Sequence, residues 1–276
     1  MCLAVFAFDT CSKFSLVLAF NRDEDFTRET KPAHWWEDLD AFRQAFGDTD
    51  KILLGGRDCV AGGTWLCCSR VTNRVSFLTN GRPGLRSDSF KTVGQPSRGE
   101  LPVLSCLHHA GQLNEFLSEG LQKDRYAPFH LITADFASEK LEMYYTTNNR
   151  RESPVPISKG IHVLSNLDID GTWPKATRAK EKFKEMVEAG VFDGDGEFPW
   201  DCVFSCMRDD GRQSIQDSTN IFVHPIQLMD GRVWGTRSIT VVVVHRNGRV
   251  EYKEQSLHHR HHRSWEETYH HFTMKQ

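Results

Sequence analysis

Cys2 directly follows the start methionine, and the run Asn21-Arg22-Asp23-Glu24 follows an almost wholly apolar segment. Methionine before a small residue such as cysteine is commonly trimmed. Removal of Met1 would leave Cys2 with a thiol and a free α-amine, a nucleophile and a base on one residue. The amine titrates near about 7.7–8.0 and a free thiol near about 8.5. An N-terminal nucleophile that uses its own amine as base is an established catalytic arrangement. A neighbouring Arg22 would favour the thiolate, and a carboxylate at Asp23 or Glu24 could hold the ammonium. The plainer alternative is a small strand residue at position 2 and a solvated strand end at 21–24.

Two predicted strands must position these groups: Cys2–Phe8 and Phe14–Phe20, joined by DTCSK. Phe14, Leu16, Leu18 and Phe20 line one face of the second, and Ser15, Val17 and Ala19 the other. So little polarity on either face predicts an inner strand covered on both sides. With Phe8 and Phe14 as the closing pair, antiparallel partners have numbers summing to about 22, give or take two. Cys2 then falls opposite position 20, with Asn21 and Arg22 close by. Alternation sends Asn21 and Asp23 to one side and Arg22 and Glu24 to the other.

Further strands are predicted at 52–55, 63–68, 74–79, 129–134, 141–146, 162–165, 238–245 and 249–255. Asn247-Gly248 reads as a type I′ turn between the last two. Helices are predicted at 99–109, 113–119, 175–188 and 200–208. Pro174 suits a first helical position, and 175–188 is amphipathic. Ser97 reads as the cap of the first helix. The chain has 276 residues, 39% hydrophobic and 11% aromatic, enough for a real core. A net charge of -3 points to no bulk nucleic-acid or membrane-surface binding. No apolar stretch reaches the roughly 18 residues of a membrane span, and the first residues do not read as a secretory signal or transit peptide. The eight cysteines read as reduced thiols of an intracellular protein, with a structural metal the lesser alternative.

MCLAVFAFD, LAFNRDEDFTRET, GGTWLCCS, VSFLTN, SRGELP, HLITADF, HVLSN, TWPKATRAKEKF and WGTRSITVVVV, in that order, resemble the NRDE family, also called the transport and Golgi organization protein 2 family. The resemblance runs from Met1 to about Phe272 and implies a single domain over 1–276. It implies an α/β (α+β) protein, a four-layer αββα sandwich of two mainly antiparallel sheets like the N-terminal nucleophile hydrolases. By motif position the catalytic set of that fold's cysteine amidases maps to Cys2, Arg22, Asp23, Glu24, Asn80, Asn166 and Arg237. Two amides and a guanidinium would polarise a carbonyl, an effect worth about 3–4 kcal/mol per donor in a dry site. The amidases carry Arg-Asn-x-Asp on the second strand, whereas this chain has Asn-Arg-Asp-Glu, so aligning the carboxylate with Glu24 puts Asn21 at the arginine position. The family is also associated with Golgi organisation and secretion, lipid homeostasis with acyl-CoA binding, and haem trafficking.

Asn21, Gly63, Trp65 and Arg98 are the expected ligand-binding residues. GGTWL would shape a site rim, with a backbone bulge and core tryptophan as the alternative. Asn80 and Asn166 each end a strand, as turn-forming asparagines also do. Arg237 stands at the mouth of a buried strand. The Pro/Gly/Ser-rich stretch 82–99 reads as a long functional or mobile loop; Arg82, Arg86, Lys91 and Arg98 make it basic, able to meet CoA phosphates or haem propionates, with a solvated loop the preferred reading. Histidines in HHRHHR (258–263) read as a surface tract rather than a metal or haem site, and no metal is expected. The reading is a protein that handles a small amphipathic ligand, haem or acyl-CoA, near Cys2, with no required cofactor. The competing readings are a cysteine amidohydrolase and an interaction protein of the secretory system. Cytosol is the default location, and mitochondrion and Golgi follow from the resemblance.

Overall fold

The computed structural model describes residues 2–39, 51–82, 94–109, 112–137, 141–150, 153–211, 220–257 and 264–275. Among these residues the chain is mixed α/β, with two antiparallel seven-stranded sheets and four helices. It divides into two compact units, Met1–Glu29 with Lys159–His271, and Thr30–Ser158 with Phe272–Gln276. Met1, Arg86, Lys91 and His258–Arg263 lie outside the described residues, so the trimming, basic-loop and histidine-tract readings are untouched by the structure. Among the described residues no helix is long and apolar enough to cross a membrane.

The first unit is built on strands β1 (Leu3–Phe8), β2 (Phe14–Asp25), β10 (Gly160–Leu164), β11 (Ile226–Gln227), β12 (Val233–His245), β13 (Arg249–Leu257) and, up to His271, β14 (Trp265–Thr273). Their order is β10-β1-β2-β12-β13-β14, with β11 beside β12. One face presents Leu3, Val5, Val17, Ala19, Ile239 and Val241 to helices α3 (Pro174–Glu188) and α4 (Trp200–Met207). The helix α3 exists because Ala176, Ala179 and Phe183 recur on one face and bury there. Pro174 opens it, and Gly190, at φ +69°, ends it in the left-handed conformation that glycine adopts without steric cost. On the opposite sheet face Leu16, Leu18 and Phe20 are also fully buried, as the doubly apolar β2 sequence predicts.

The observed pairs, from Leu3↔Asn21 to Phe8↔Leu16, sum to 24. The hairpin closes through Asp9 N–H to Ser15 O at 2.9 Å, with Asp9 at φ +50°, so the turn is wider than a Phe8–Phe14 closure. The β12–β13 turn is also not type I′. Gly248 takes φ +83° and Asn247 does not take a positive value, while Gly248 N–H closes on His245 O at 3.0 Å. The loop is therefore one residue longer, with only glycine left-handed.

The second unit orders its strands β3 (Thr30–Trp35), β4 (Leu53–Asp58), β5 (Leu66–Ser69), β6 (Arg74–Asn80), β7 (Phe129–Asp135), β8 (Glu142–Thr147) and β9 (Val155–Pro156) in sequence. Helices α1 (Glu100–Leu107) and α2 (Leu113–Glu115), the latter running into a π-type turn over Phe116–Gly120, bury Leu101, Leu113 and Leu117 against Leu78, Phe129 and Leu131. Gly99, not Ser97, is the first-helix cap residue; the Ser97 hydroxyl accepts from Gly99 N–H at 3.3 Å in a local turn. Strand β3 escapes sequence reading because Pro32 sits in it. The register shift between Lys31 and His34 accommodates that proline at the sheet edge.

Gly63 lies so close to Gly99 that an added Cβ would stand 2.4 Å from the Gly99 carbonyl carbon. Gly63→Ala is therefore expected to lose about 1–3 kcal/mol by overpacking. Urea unfolding should show a lower midpoint at unchanged slope; an unchanged midpoint would refute the contact.

Candidate functional site

Pairing of β2 with both neighbours decides where each polar residue points. Asn21 and Asp23 share the helix-facing side, and Arg22 and Glu24 the other, as alternation predicts. Asn21 is fully buried, and its amide donates to Met207 O at 2.9 Å and Ile221 O at 3.0 Å. One bond ties the sheet to the end of α4 and the other to the segment at Ile221, a structural duty at a residue expected to bind ligand.

Asp23 has no exposed side-chain surface. One carboxylate oxygen meets Lys175 Nζ at 3.1 Å and the other accepts from Thr236 Oγ1 at 2.7 Å. Burial alone would raise its pKa. The Lys175 ammonium first, then the terminal ammonium and the Thr236 hydroxyl, together outweigh burial and hold the carboxyl below the usual range. Lys175 and Thr236 escaped the sequence analysis. One signal was present: Lys175 stands in the first turn of a helix, where the backbone dipole disfavours a cation. A lysine there answers to a buried anion.

Cys2 is partly exposed, and its Sγ lies 3.8 Å from Asp23 O. Continued by one pair, the β1–β2 register sets Cys2 opposite Arg22. Asn166, buried, follows the end of β10 by two residues, and β10 is the other neighbour of β1. Arg22 in turn pairs with Ser238, and Ser238 with Ser256. A polar rung of Cys2, Arg22, Ser238 and Ser256 thus runs across β1, β2, β12 and β13. Its neighbours one rung inward are Leu164, Ala4, Phe20, Thr240 and Glu254. Arg22 is buried, with Glu24 Oε2 at 3.8 Å. Burial pushes the Cys2 thiol above its ordinary pKa and the Asp23 charge adds to that; the terminal ammonium, the bond to the Asp23 carbonyl and, least, Arg22 offset part of it. The expected lowering by Arg22 is present but loses to burial.

Arg237 occupies the β-bulge between Thr236 and Ser238. Its guanidinium donates to Asp25 O at 3.0 Å and to Arg28 O, and lies over the Phe26 ring. It clamps the turn at the end of β2. The remaining expected residues belong to the second unit. Asn80 ends β6, exposed and paired with Phe129. Trp65 is buried over Gly56, where an added Cβ would meet the indole at 2.4 Å, and Gly63 packs on Gly99. Arg98 donates to Pro128 O at 2.9 Å. Both GGTWL positions pack closely against other backbone, where only glycine leaves room.

At the other end of the first sheet lies a cleft of about 960 Å³, with Phe14, Trp200, His245, Glu251 and Tyr269 among its walls. Glu251 is saturated there by His245, Arg249 and Tyr269.

These features define a mixed α/β protein with a thiol at the head of a doubly buried antiparallel sheet and a polar rung running from it. The profile of the family described as Transport and Golgi organisation 2 matches residues 1–259, and the chain belongs to that family. Among its relatives, the bovine (Bos taurus) Transport and Golgi organization protein 2 homolog is 29% identical over all of both chains. The mouse (Mus musculus) Transport and Golgi organization 2 homolog is 28% identical, and the human (Homo sapiens) Transport and Golgi organization protein 2 homolog 27%, each over all of both chains.

Lys175→Met would strand a buried charge, at a cost of about 3–5 kcal/mol, and the double variant Lys175→Met/Asp23→Asn should recover most of it. Because the folded pKa of Asp23 is depressed, its stabilisation is present above the unfolded carboxylate range and fades as pH falls through the folded value. Urea midpoints between neutral pH and about pH 3 should fall more for wild type than for the double variant. Parallel curves would remove Asp23 from the acid response.

Proposed function

We propose that the protein binds a small amphipathic ligand, acyl-CoA or haem, at the Cys2 rung, and that it serves transport and Golgi organisation as its relatives' names say. The observation that carries this is a partly exposed thiol, pushed above its ordinary pKa by burial, next to the buried Arg22 at the end of the β1–β2 pairing. A neutral thiol is a soft contact rather than a standing nucleophile. Arg22 supplies positive charge for a carboxylate, phosphate or acyl carbonyl. The family match runs through residues of both compact units, which supports taking the whole chain as the working unit. Cytosol is the proposed location, with Golgi or mitochondrial association resting on kinship.

One observation favours a second reading, a cysteine amidohydrolase. A buried, ionised Asp23 lies beside Cys2, with its backbone oxygen 3.8 Å from the thiol. In that reaction the Cys2 α-amine takes the thiol proton as Sγ attacks the amide carbon. Asn166 and Arg22 stabilise the oxyanion, and the amine then protonates the leaving nitrogen. Water hydrolyses the resulting thioester and restores the thiol.

Titration of hemin and palmitoyl-CoA should show binding to wild type and about ten-fold or greater weakening in Arg22→Gln, the loss expected for a charged hydrogen bond. Cys2→Ala, at a partly exposed position, should also weaken it, with thermal melts reporting the fold of both variants. Equal affinities in folded variants would reject a site there. Intact-mass spectrometry reports whether Met1 is retained, and retention excludes the α-amine mechanism. If the amine is free, turnover of an amide substrate that survives Cys2→Ala excludes the hydrolase.

A further inference from the structure

Ser238 is buried, and among the described residues its hydroxyl has no hydrogen-bond partner. A buried hydroxyl left unpaired is costly, and native structures keep few of them without a reason. Its surroundings give the reason. Ser238 pairs directly with Arg22, so the two side chains share a sheet face at cross-strand contact distance. On its other side stands Ser256, whose hydroxyl is committed to Glu254 Oε1 at 3.2 Å. The next hydroxyl inward, Thr240, is committed to Glu254 Oε2 at 2.8 Å. Ser238 alone on this part of the rung holds an unspent hydroxyl, next to a buried cation.

We propose that Ser238 is a ligand-contacting residue of the Cys2 site. Its hydroxyl and the Arg22 guanidinium together take an oxygen of an acyl carbonyl or carboxylate, with Cys2 on the far side of Arg22. This rests on the ligand-binding reading above and adds a residue to it. It also sets the polarity of the ligand: the group beside Ser238 is a hydrogen-bond acceptor, because the guanidinium next to it can only donate.

The test compares wild type, Ser238→Ala, Ser238→Thr and Cys2→Ala by calorimetric titration with palmitoyl-CoA and, separately, hemin, and by thermal melting. Palmitoyl-CoA offers a thioester carbonyl and hemin offers carboxylates, so the arm that responds identifies the acceptor. Ser238→Ala should bind the responding probe about five- to ten-fold more weakly, the loss of one hydrogen bond. It should melt at the same temperature or roughly 2–4 °C higher, because the orphan hydroxyl is gone. Ser238→Thr keeps the hydroxyl and should retain most of the affinity. A structural serine would give the opposite pattern, a lower melting temperature with unchanged affinity, and that result overturns the assignment. Weakening by Cys2→Ala but not by Ser238→Ala overturns this inference alone. A wild type that binds neither probe overturns both this and the reading beneath it.

Discussion

Backbone pairing of β2 with β1 on one side and β12 on the other is the constraint from which the site follows. Side chains alternate with a period of two, so a one-residue slip would exchange every face. Arg22 would enter the layer now holding Phe204 and Met207, and Asp23 would leave Lys175 and Thr236. Both charges would then be buried without partners, a loss of several kcal/mol. The register is pinned by the groups it positions. The Asn21 amide reaches two carbonyls beyond the sheet, and Asp23 reaches a helix 152 residues further along the chain.

The carboxylate of the same ion pair also acts on the thiol. Asp23 is held ionised inside the protein, and its negative charge adds to burial in keeping Cys2 protonated. Arg22 pulls the other way and loses. A buried carboxylate on the helix side of the sheet therefore adds to the burial that raises the pKa of a side chain on the opposite side. Any reaction at Cys2 begins by moving its proton, and binding through a neutral thiol avoids that step.

Much of this is legible in the residues. The doubly apolar run from Phe14 to Phe20 announces an inner strand, and alternation separates Asn21 and Asp23 from Arg22 and Glu24 before any coordinates. The offset of two in pairing was not legible, because it depends on how DTCSK closes: Asp9 adopts a left-handed conformation and bonds to Ser15. The Asp23–Lys175 contact is long-range and leaves only a cation misplaced at a helix start as its local trace. Strand β14 reads as a charged segment, since most of its side chains are solvated at the sheet edge. Trp65 and Gly63 invite a ligand reading by composition. Their close packing on Gly56 and Gly99, which lie outside the motif, is not readable from it.

The Gly235-Thr236-Arg237-Ser238 segment shows how one irregularity serves three ends. In a regular strand Thr236 and Ser238 would share a face. The bulge inserts Arg237 between them, so Thr236 opposes Asp23 while Ser238 opposes Arg22. Two adjacent residues of β2, pointing to opposite sides, thereby each meet a hydroxyl. The extra residue is turned away from the ladder and closes the Asp25–Arg28 turn, which fixes the end of the strand that carries both charges. Without the bulge one hydroxyl would be lost from either the buried ion pair or the rung. Anchoring of Asp23 and presentation of Ser238 are therefore two results of the same backbone step.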